Sequence, residues 1–239
     1  MKTRTKALLI VLCAALLVAV TALTTIAWLT STPDSVVNKF TFTNSDKVTI
    51  TLDEAKVDAY GNLVYVQGEG GEQKLADRVT SNTYKLLPGH EYVKDPTIHV
   101  ATDSIECFLF VTVDNAIADI EAATTIADQM AAKNWVKVDG YTNVYALATT
   151  VKQDDGTTKT QLIKKSKGED AVVFESFTIK GEETADTLAA YDEKTVTVIA
   201  YAVQAEGFEG MDPKTAWQTA FPGKGTAETT PETTPDPAE

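Results

Sequence analysis

Two cysteines and two histidines in 239 residues leave little material for the chemistries that depend on them. Cys13 lies inside an apolar N-terminal run, so Cys107 is the one thiol of the remaining chain, and no disulfide framework is available. Stability has to come from a buried core, for which a chain of this length is sufficient. Cys107 sits in Glu106-Cys107-Phe108-Leu109-Phe110-Val111. A lone thiol in such a run reads as a small hydrophobe, because a nucleophile needs exposure and a partnering base. Positive charge is also scarce: 21 Lys and Arg stand against 34 Asp and Glu, a formal net charge of −13. A surface of that sign repels nucleic acid and anionic lipid and favours solubility, so no nucleic-acid partner is expected. No cofactor fingerprint is found: there is no Walker A loop, no dinucleotide-binding glycine motif and no G-x-S-x-G elbow.

Lys2, Arg4 and Lys6 precede an unbroken apolar run over residues 7–20, and a small residue, Ala27, follows at the expected cleavage position before Trp28. This is the layout of a secretory signal peptide, so residues 1–27 are expected to be removed between Ala27 and Trp28 and the product to be secreted or held at the cell surface. The run is short for a span, which needs roughly 20 residues, and membrane contact is expected only through an uncleaved signal. From Gly223 the composition changes to Thr, Pro, Glu, Gly and Ala without aromatic or branched aliphatic residues. Such a segment cannot bury apolar surface, so residues 223–239 are expected to form a disordered acidic tail behind a single domain at 28–222.

Within that domain short β-branched and aromatic runs alternate with turn residues. Strands are expected near residues 36–42, 47–52, 84–87, 97–101, 107–113, 135–138, 144–151, 160–163, 172–179 and 195–205. Many short strands separated by Gly, Asn, Asp and Pro indicate a mainly β, antiparallel sandwich or barrel. The 195–205 run lacks polar alternation and is expected to be central and covered on both faces. Asp154-Asp155-Gly156 marks a hairpin turn, and the glycine-rich stretch 60–74 is either a loop or an exposed hairpin. One or two helices are expected in connections. Ile117, Ile120, Thr124, Ala127 and Met130 recur at helical spacing behind Asp114 or Asn115, predicting a helix over 116–132. Asp212-Pro213 supplies an N-cap and a first-turn proline for a helix over 214–221, with Trp217 and Phe221 inward.

The stretch Leu86-Leu87-Pro88-Gly89-His90-Glu91-Tyr92-Val93-Lys94-Asp95-Pro96 contains HExxK, one residue away from the zinc-peptidase motif HExxH. That motif needs two histidines one helical turn apart, and Lys94 stands in the second position. Pro88-Gly89 and Asp95-Pro96 predict a turn leading into extended chain, so the match is a chance overlap on a turn, and no metal site is assigned. The scattered carboxylates nominate no catalytic pair, and no catalytic residue is assigned. At the start of the processed chain, residues 36–42 alternate, with Val36, Asn38, Phe40 and Phe42 spaced two apart. A strand at a free terminus pairs with its own sheet or with a neighbour's.

Several short motifs, in order, resemble the TasA/camelysin family of secreted bacterial proteins. They are Thr25-Ile26-Ala27 before Trp28-Leu29, Asn38-Lys39-Phe40, and Val48-Thr49-Ile50-Thr51-Leu52-Asp53-Glu54. Tyr84-Lys85-Leu86-Leu87-Pro88-Gly89, Lys94-Asp95-Pro96, the run from Ala200 to Phe208, and Ala216-Trp217 continue the series. The resemblance implies a jelly-roll-like β-sandwich, removal of the signal by a SipW-type signal peptidase, and export to the cell surface or biofilm matrix. It also implies self-association into fibres, in which the N-terminal strand of one subunit, here carrying Val36, Asn38, Phe40 and Phe42, completes the sheet of the next. Camelysin-like members carry a metallopeptidase label, which is the alternative function, although the two histidines here make no recognisable zinc motif. A carbohydrate-binding or adhesin module is a further alternative that fits the same fold.

Overall fold

Runs of β-branched and aromatic residues extend and pair. The computed structural model describes residues 47–228 and the backbone of a two-residue strand, β1 (Thr30–Ser31). The expected cleavage point at Ala27 and Trp28, and the expected strand with Val36, Asn38, Phe40 and Phe42, lie outside the described residues. The expectation of a mainly β, antiparallel sandwich with helices in its connections is borne out.

Twelve further strands follow β1 before the last. They are β2 (Ile50–Asp53), β3 (Tyr65–Gln67), β4 (Gln73–Leu75), β5 (Glu91–Val93), β6 (Thr97–Val100) and β7 (Cys107–Asn115), then β8 (Trp135–Lys137), β9 (Val144–Lys152), β10 (Thr158–Leu162), β11 (Lys164–Lys165), β12 (Asp170–Val172) and β13 (Ser176–Thr178). The last is β14 (Val196–Gln204). The main sheet runs β1-β14-β7-β9-β10, with β8 on β9 and β11 on β7. β14 and β7 pair over nine residues, from Val196 opposite Asn115 to Gln204 opposite Cys107. Both strands lack polar alternation, and the sheet carries a core on each face. Leu109, Val111, Ala200 and Ala202 face one core, where Tyr92, Ile98 and Phe177 arrive from two small sheets, β12-β6-β2 and β13-β5, and Phe174 from the link between β12 and β13. Phe108, Phe110, Tyr201 and Val203 face the other, which is closed by Phe208, Trp217 and Phe221. Each fully buried side chain of Phe110's kind contributes about 1.5–3 kcal/mol, so the central strands carry much of the stability.

Helix α1 (Ile126–Ala132) is shorter than the predicted 116–132. Asn115 accepts the Ile117 N–H in a local turn, and residues 118–120 make one 3₁₀ turn. The backbone of Glu121 and Ala122 then pairs with Ile179 and Thr178, which breaks the helix. Thr125, rather than Asp114 or Asn115, is the N-cap, in a reciprocal box with Asp128. A short helix α2 (Ala185–Ala189), capped by Thr184, was not expected. Helix α3 (Pro213–Ala220) forms as predicted, with Asp212 accepting the Thr215 N–H at 3.0 Å and Trp217 fully buried.

Other differences have equally local causes. Residues 84–87 form no strand; side chains hold them instead, with the Leu87 N–H donating to the Tyr92 hydroxyl at 2.7 Å and that hydroxyl donating to the Lys85 carbonyl. The expected strand 172–179 divides into β12 and β13, which belong to different sheets, with Val173 and Phe174 buried between them. The stretch 60–74 contains the exposed hairpin β3–β4. The domain also runs past the expected boundary at residue 222. The Thr226 N–H donates to Asn143 Oδ1 at 2.8 Å, and Lys137 pairs with Glu228 at 2.8 Å, so residues 223–228 dock on the 140–143 turn.

Candidate functional site

Alternation along the β12-β6-β2 sheet sorts its residues. Ile50, Leu52, Ile98, Val100 and Ala171 point to the core, while Thr51, Asp53, His99 and Asp170 fall on the outer face. His99 is directly opposite Asp170 on β12 and Thr51 on β2. Its ring bridges two strands, with Nδ1 2.7 Å from Asp170 Oδ1 and Nε2 3.0 Å from Asp53 Oδ1. Arg78 reinforces the cluster: its Nε donates to Asp53, Nη1 to Asp95 at 2.8 Å, and Nη2 to the Asp95 carbonyl and Thr97 Oγ1 at 2.9 and 3.0 Å. Burial disfavours the imidazolium, but hydrogen bonds and charge from Asp53 and Asp170 outweigh it, and the His99 pKa is raised above 6.5. Both ring nitrogens are engaged by carboxylates, Nδ1 by Asp170 and Nε2 by Asp53.

The HExxK stretch is not a helix. Pro88-Gly89 makes the predicted turn, with Gly89 at φ +71°. The next three polar side chains diverge. His90 Nε2 lies 2.8 Å from the Tyr60 carbonyl, and its ring meets Tyr92 edge-on at 4.6 Å. Glu91 accepts from the Ser176 hydroxyl at 3.0 Å, and Lys94 donates to Glu54 at 2.6 Å. His90 and His99 are engaged by separate partners, and among the described residues no cluster of three or more His, Cys, Asp or Glu has an arrangement that holds a metal ion. An open cleft of about 290 Å³ beside Asp170 is lined by Lys133, Asn134, Leu147, Ile163 and Lys165. Its charges are already used, Lys133 on Glu175 and Lys165 on the Asp170 carbonyl.

The other candidate is an edge rather than a cleft. β14 is paired to β7 along its whole length on one side. On its other side Val203 and Ala202 pair with Thr30 and Ser31 of β1. Exposed apolar side chains gather elsewhere, on and beside the β3–β4 hairpin, where Tyr65 and Leu75 face each other and Tyr60 and Val66 are also exposed.

The residue pattern of the β14 edge was legible in the sequence as a central, two-faced strand. The Asp53–Arg78–Asp95–His99–Asp170 cluster was not, because strand register brings its members together from 118 positions of chain. No family model matches the chain, and neither the curated proteins nor the solved structures include a match to it.

Proposed function

We propose that the protein is a secreted structural component of the cell surface or biofilm matrix, of the TasA/camelysin kind, that polymerises by adding a strand to the outer edge of β14. The observation that carries this reading is the seating of N-terminal residues Thr30 and Ser31 on the outer edge of β14. β14 is buried over Ala200–Val203 and laddered to β7 along one side, and its other side takes Thr30 and Ser31 as an antiparallel partner. A sheet edge that receives an N-terminal strand from its own chain offers the same ladder to that strand of another copy.

The occupant is the N-terminal stretch of a neighbouring copy, with Val36, Asn38, Phe40 and Phe42 as its spaced side chains. The antiparallel seating of Thr30 and Ser31 on this same edge supports that choice, because it places N-terminal chain against β14. The signal-like residues 1–27 support export, with processing between Ala27 and Trp28 by a SipW-type peptidase. The metallopeptidase alternative draws no support from His90 or His99, whose rings are committed to Tyr60 and to two carboxylates.

Protein beginning at Trp28 is expected to form filaments, visible by electron microscopy and sedimentation, and protein lacking residues 28–42 is expected to remain monomeric. The reading fails if the Trp28 form stays monomeric when concentrated and seeded, and antibody labelling finds no filaments on the producing cells.

A further inference from the structure

Glu54 is 3 % exposed, and two side chains from distant parts of the chain use its carboxylate. Lys94 Nζ donates to Oε2 at 2.6 Å, and Asn82 Nδ2 donates to Oε1 at 2.9 Å. The Lys94 side chain is 12 % exposed and lies over the Tyr84 ring, 6.0 Å from its centroid. Burial, and next the charge on Glu54, push the Tyr84 phenol well above its usual range, so this pocket is both dry and sensitive to that carboxylate.

The Asn82 carboxamide is held on every side. Its Oδ1 accepts the Val57 N–H at 3.1 Å, and its Nδ2 also donates to the Ala55 carbonyl at 2.9 Å. A buried Lys–Glu pair alone is a structural element that gains little net stability from its charge. Here it comes with a carbonyl polarised by a backbone donor and an amide nitrogen resting on the same carboxylate. These are the parts needed for acyl transfer from a carboxamide to an amine: a nucleophile, a proton carrier, an oxyanion donor and a leaving group in contact with the carrier.

We infer that Lys94 and Asn82 join through a self-generated isopeptide bond, with Glu54 as the proton carrier. Glu54 Oε2 takes a proton from the Lys94 ammonium across their 2.6 Å contact. The neutral Nζ attacks Asn82 Cγ, the N–C bond forms, and negative charge collects on Oδ1 in front of the Val57 N–H. Glu54 then protonates Nδ2 and takes a proton from the attacking nitrogen. The C–Nδ2 bond breaks, the carbonyl re-forms, and ammonia leaves with the proton from Glu54, as ammonium, which returns Glu54 to its carboxylate. The reaction is Lys ammonium plus Asn carboxamide giving an amide plus ammonium, with no oxidant or cofactor. It is a single self-modification, and it stands on this pocket alone, independently of filament assembly. The bond closes a ring over residues 82–94, which carries the Pro88-Gly89 turn and β5, and supplies a covalent tie in a domain whose only described cysteine is an unpaired one.

The test is the intact mass of the full chain purified from its producing cells, followed by a tryptic map. The expected mass falls short by one ammonia of that required by the sequence between the termini that the map finds. Cleavage after Lys94 is expected to be lost, and the peptide over residues 79–85 to be recovered branched onto the peptide containing Lys94. Lys94→Arg and the isosteric Glu54→Gln are expected to restore the full mass. Wild-type protein at full mass, with linear peptides containing unmodified Asn82 and Lys94, overturns the inference, and so does a deficit that persists in Lys94→Arg. Because the wild-type mass decides the matter alone, poor folding of a variant does not shield the proposal.

Discussion

His99 and Asp170 stand opposite each other across the β6–β12 ladder, and their side chains close the same pair at 2.7 Å between Nδ1 and Oδ1. The other ring nitrogen reaches Asp53 on β2, so one imidazole ties the three strands of the small sheet together. Arg78 holds Asp53 from outside.

This arrangement gives the fold a pH dependence of definite sign. Burial lowers the His99 pKa, but the two aspartates raise it further, so the folded value lies above the ordinary 6.5. For a raised base, the stabilisation is complete below the unfolded pKa and is lost as pH rises through the folded one. Urea unfolding at about pH 5.5 and about pH 8.5 should show His99→Gln less stable than wild type at the lower pH only. Because the side chain is 30 % exposed, screening limits the difference to no more than about 1 kcal/mol. Equal gaps at both pH values contradict the bridging role.

Glu121 produces a dependence in the acid range. Its carboxyl is 5 % exposed, and its nearest backbone donor, the Ile126 N–H at the start of α1, is 3.4 Å from both oxygens. Burial therefore dominates and raises its pKa above the ordinary 4.5, despite the bonds to Asn115 and Ile126 that act the other way. For a raised carboxyl, stability is greatest while it is protonated and falls as pH rises from the unfolded pKa through the folded one. Glu121→Gln should be more stable than wild type near neutral pH, by on the order of 1 kcal/mol. The gap should close below about pH 4. A Gln variant that is less stable than wild type at neutral pH would mean that the charge favours the α1 terminus more than burial opposes it.

What the sequence made legible was whatever depends on neighbours in the chain. The β14 run announces itself by apolar side chains on both faces, and α3 by Asp212-Pro213, because both signals are local. The predicted helix over 116–132 failed on a non-local competitor. Of its predicted stripe Ile117, Ile120 and Met130 are in the core, but Thr124 and Ala127 are exposed and Ile126 is buried in their place, because the backbone of Glu121 and Ala122 is claimed by Ile179 and Thr178 and the helix starts afresh at Ile126. The two polar groupings were illegible for the same reason. Glu54, Asn82 and Lys94, and likewise Asp53, Arg78 and Asp170, read singly as parts of a scattered acidic or polar surface, and they are assembled by the register of β2 against β6 and of β6 against β12 together with the Glu54–Val79 bridge.

Gly61 is a point where backbone freedom and close packing coincide. It sits at φ +76°, and a Cβ built there lies 2.7 Å from the Tyr92 Cα, a contact with backbone that no side-chain rotation relieves. Tyr92 is fully buried and stacks on Phe177 at 4.8 Å, so it has little room to yield. Gly70, at φ +90°, has nothing within 4 Å. Gly70→Ala should cost only the left-handed strain of about 1–2 kcal/mol. Gly61→Ala should cost clearly more, about 3 kcal/mol or above. Chemical denaturation of the two variants side by side separates the packing contribution from the conformational one, and similar losses would show that the contact with Tyr92 relaxes.

Cys107 joins the main sheet to the redox behaviour of the chain. It is fully buried in β7, opposite Gln204 of β14 and Lys165 of β11. Burial first, and then the charge on Glu169, push its thiol up to about 12, against a smaller opposing effect of Lys165. Thiolate is the reactive form, so at neutral pH the group is disfavoured both by access and by ionisation. Protein beginning at Trp28, which leaves Cys107 as its one thiol, should resist a maleimide or a disulfide reagent in native buffer and take up one equivalent when unfolded in guanidinium. The native labelling rate should follow global unfolding, since the central β7–β14 ladder opens with the whole fold. Labelling within minutes under native conditions, at a rate unaffected by stabilising or destabilising substitutions elsewhere, would instead assign Cys107 to a locally opening edge of the sheet.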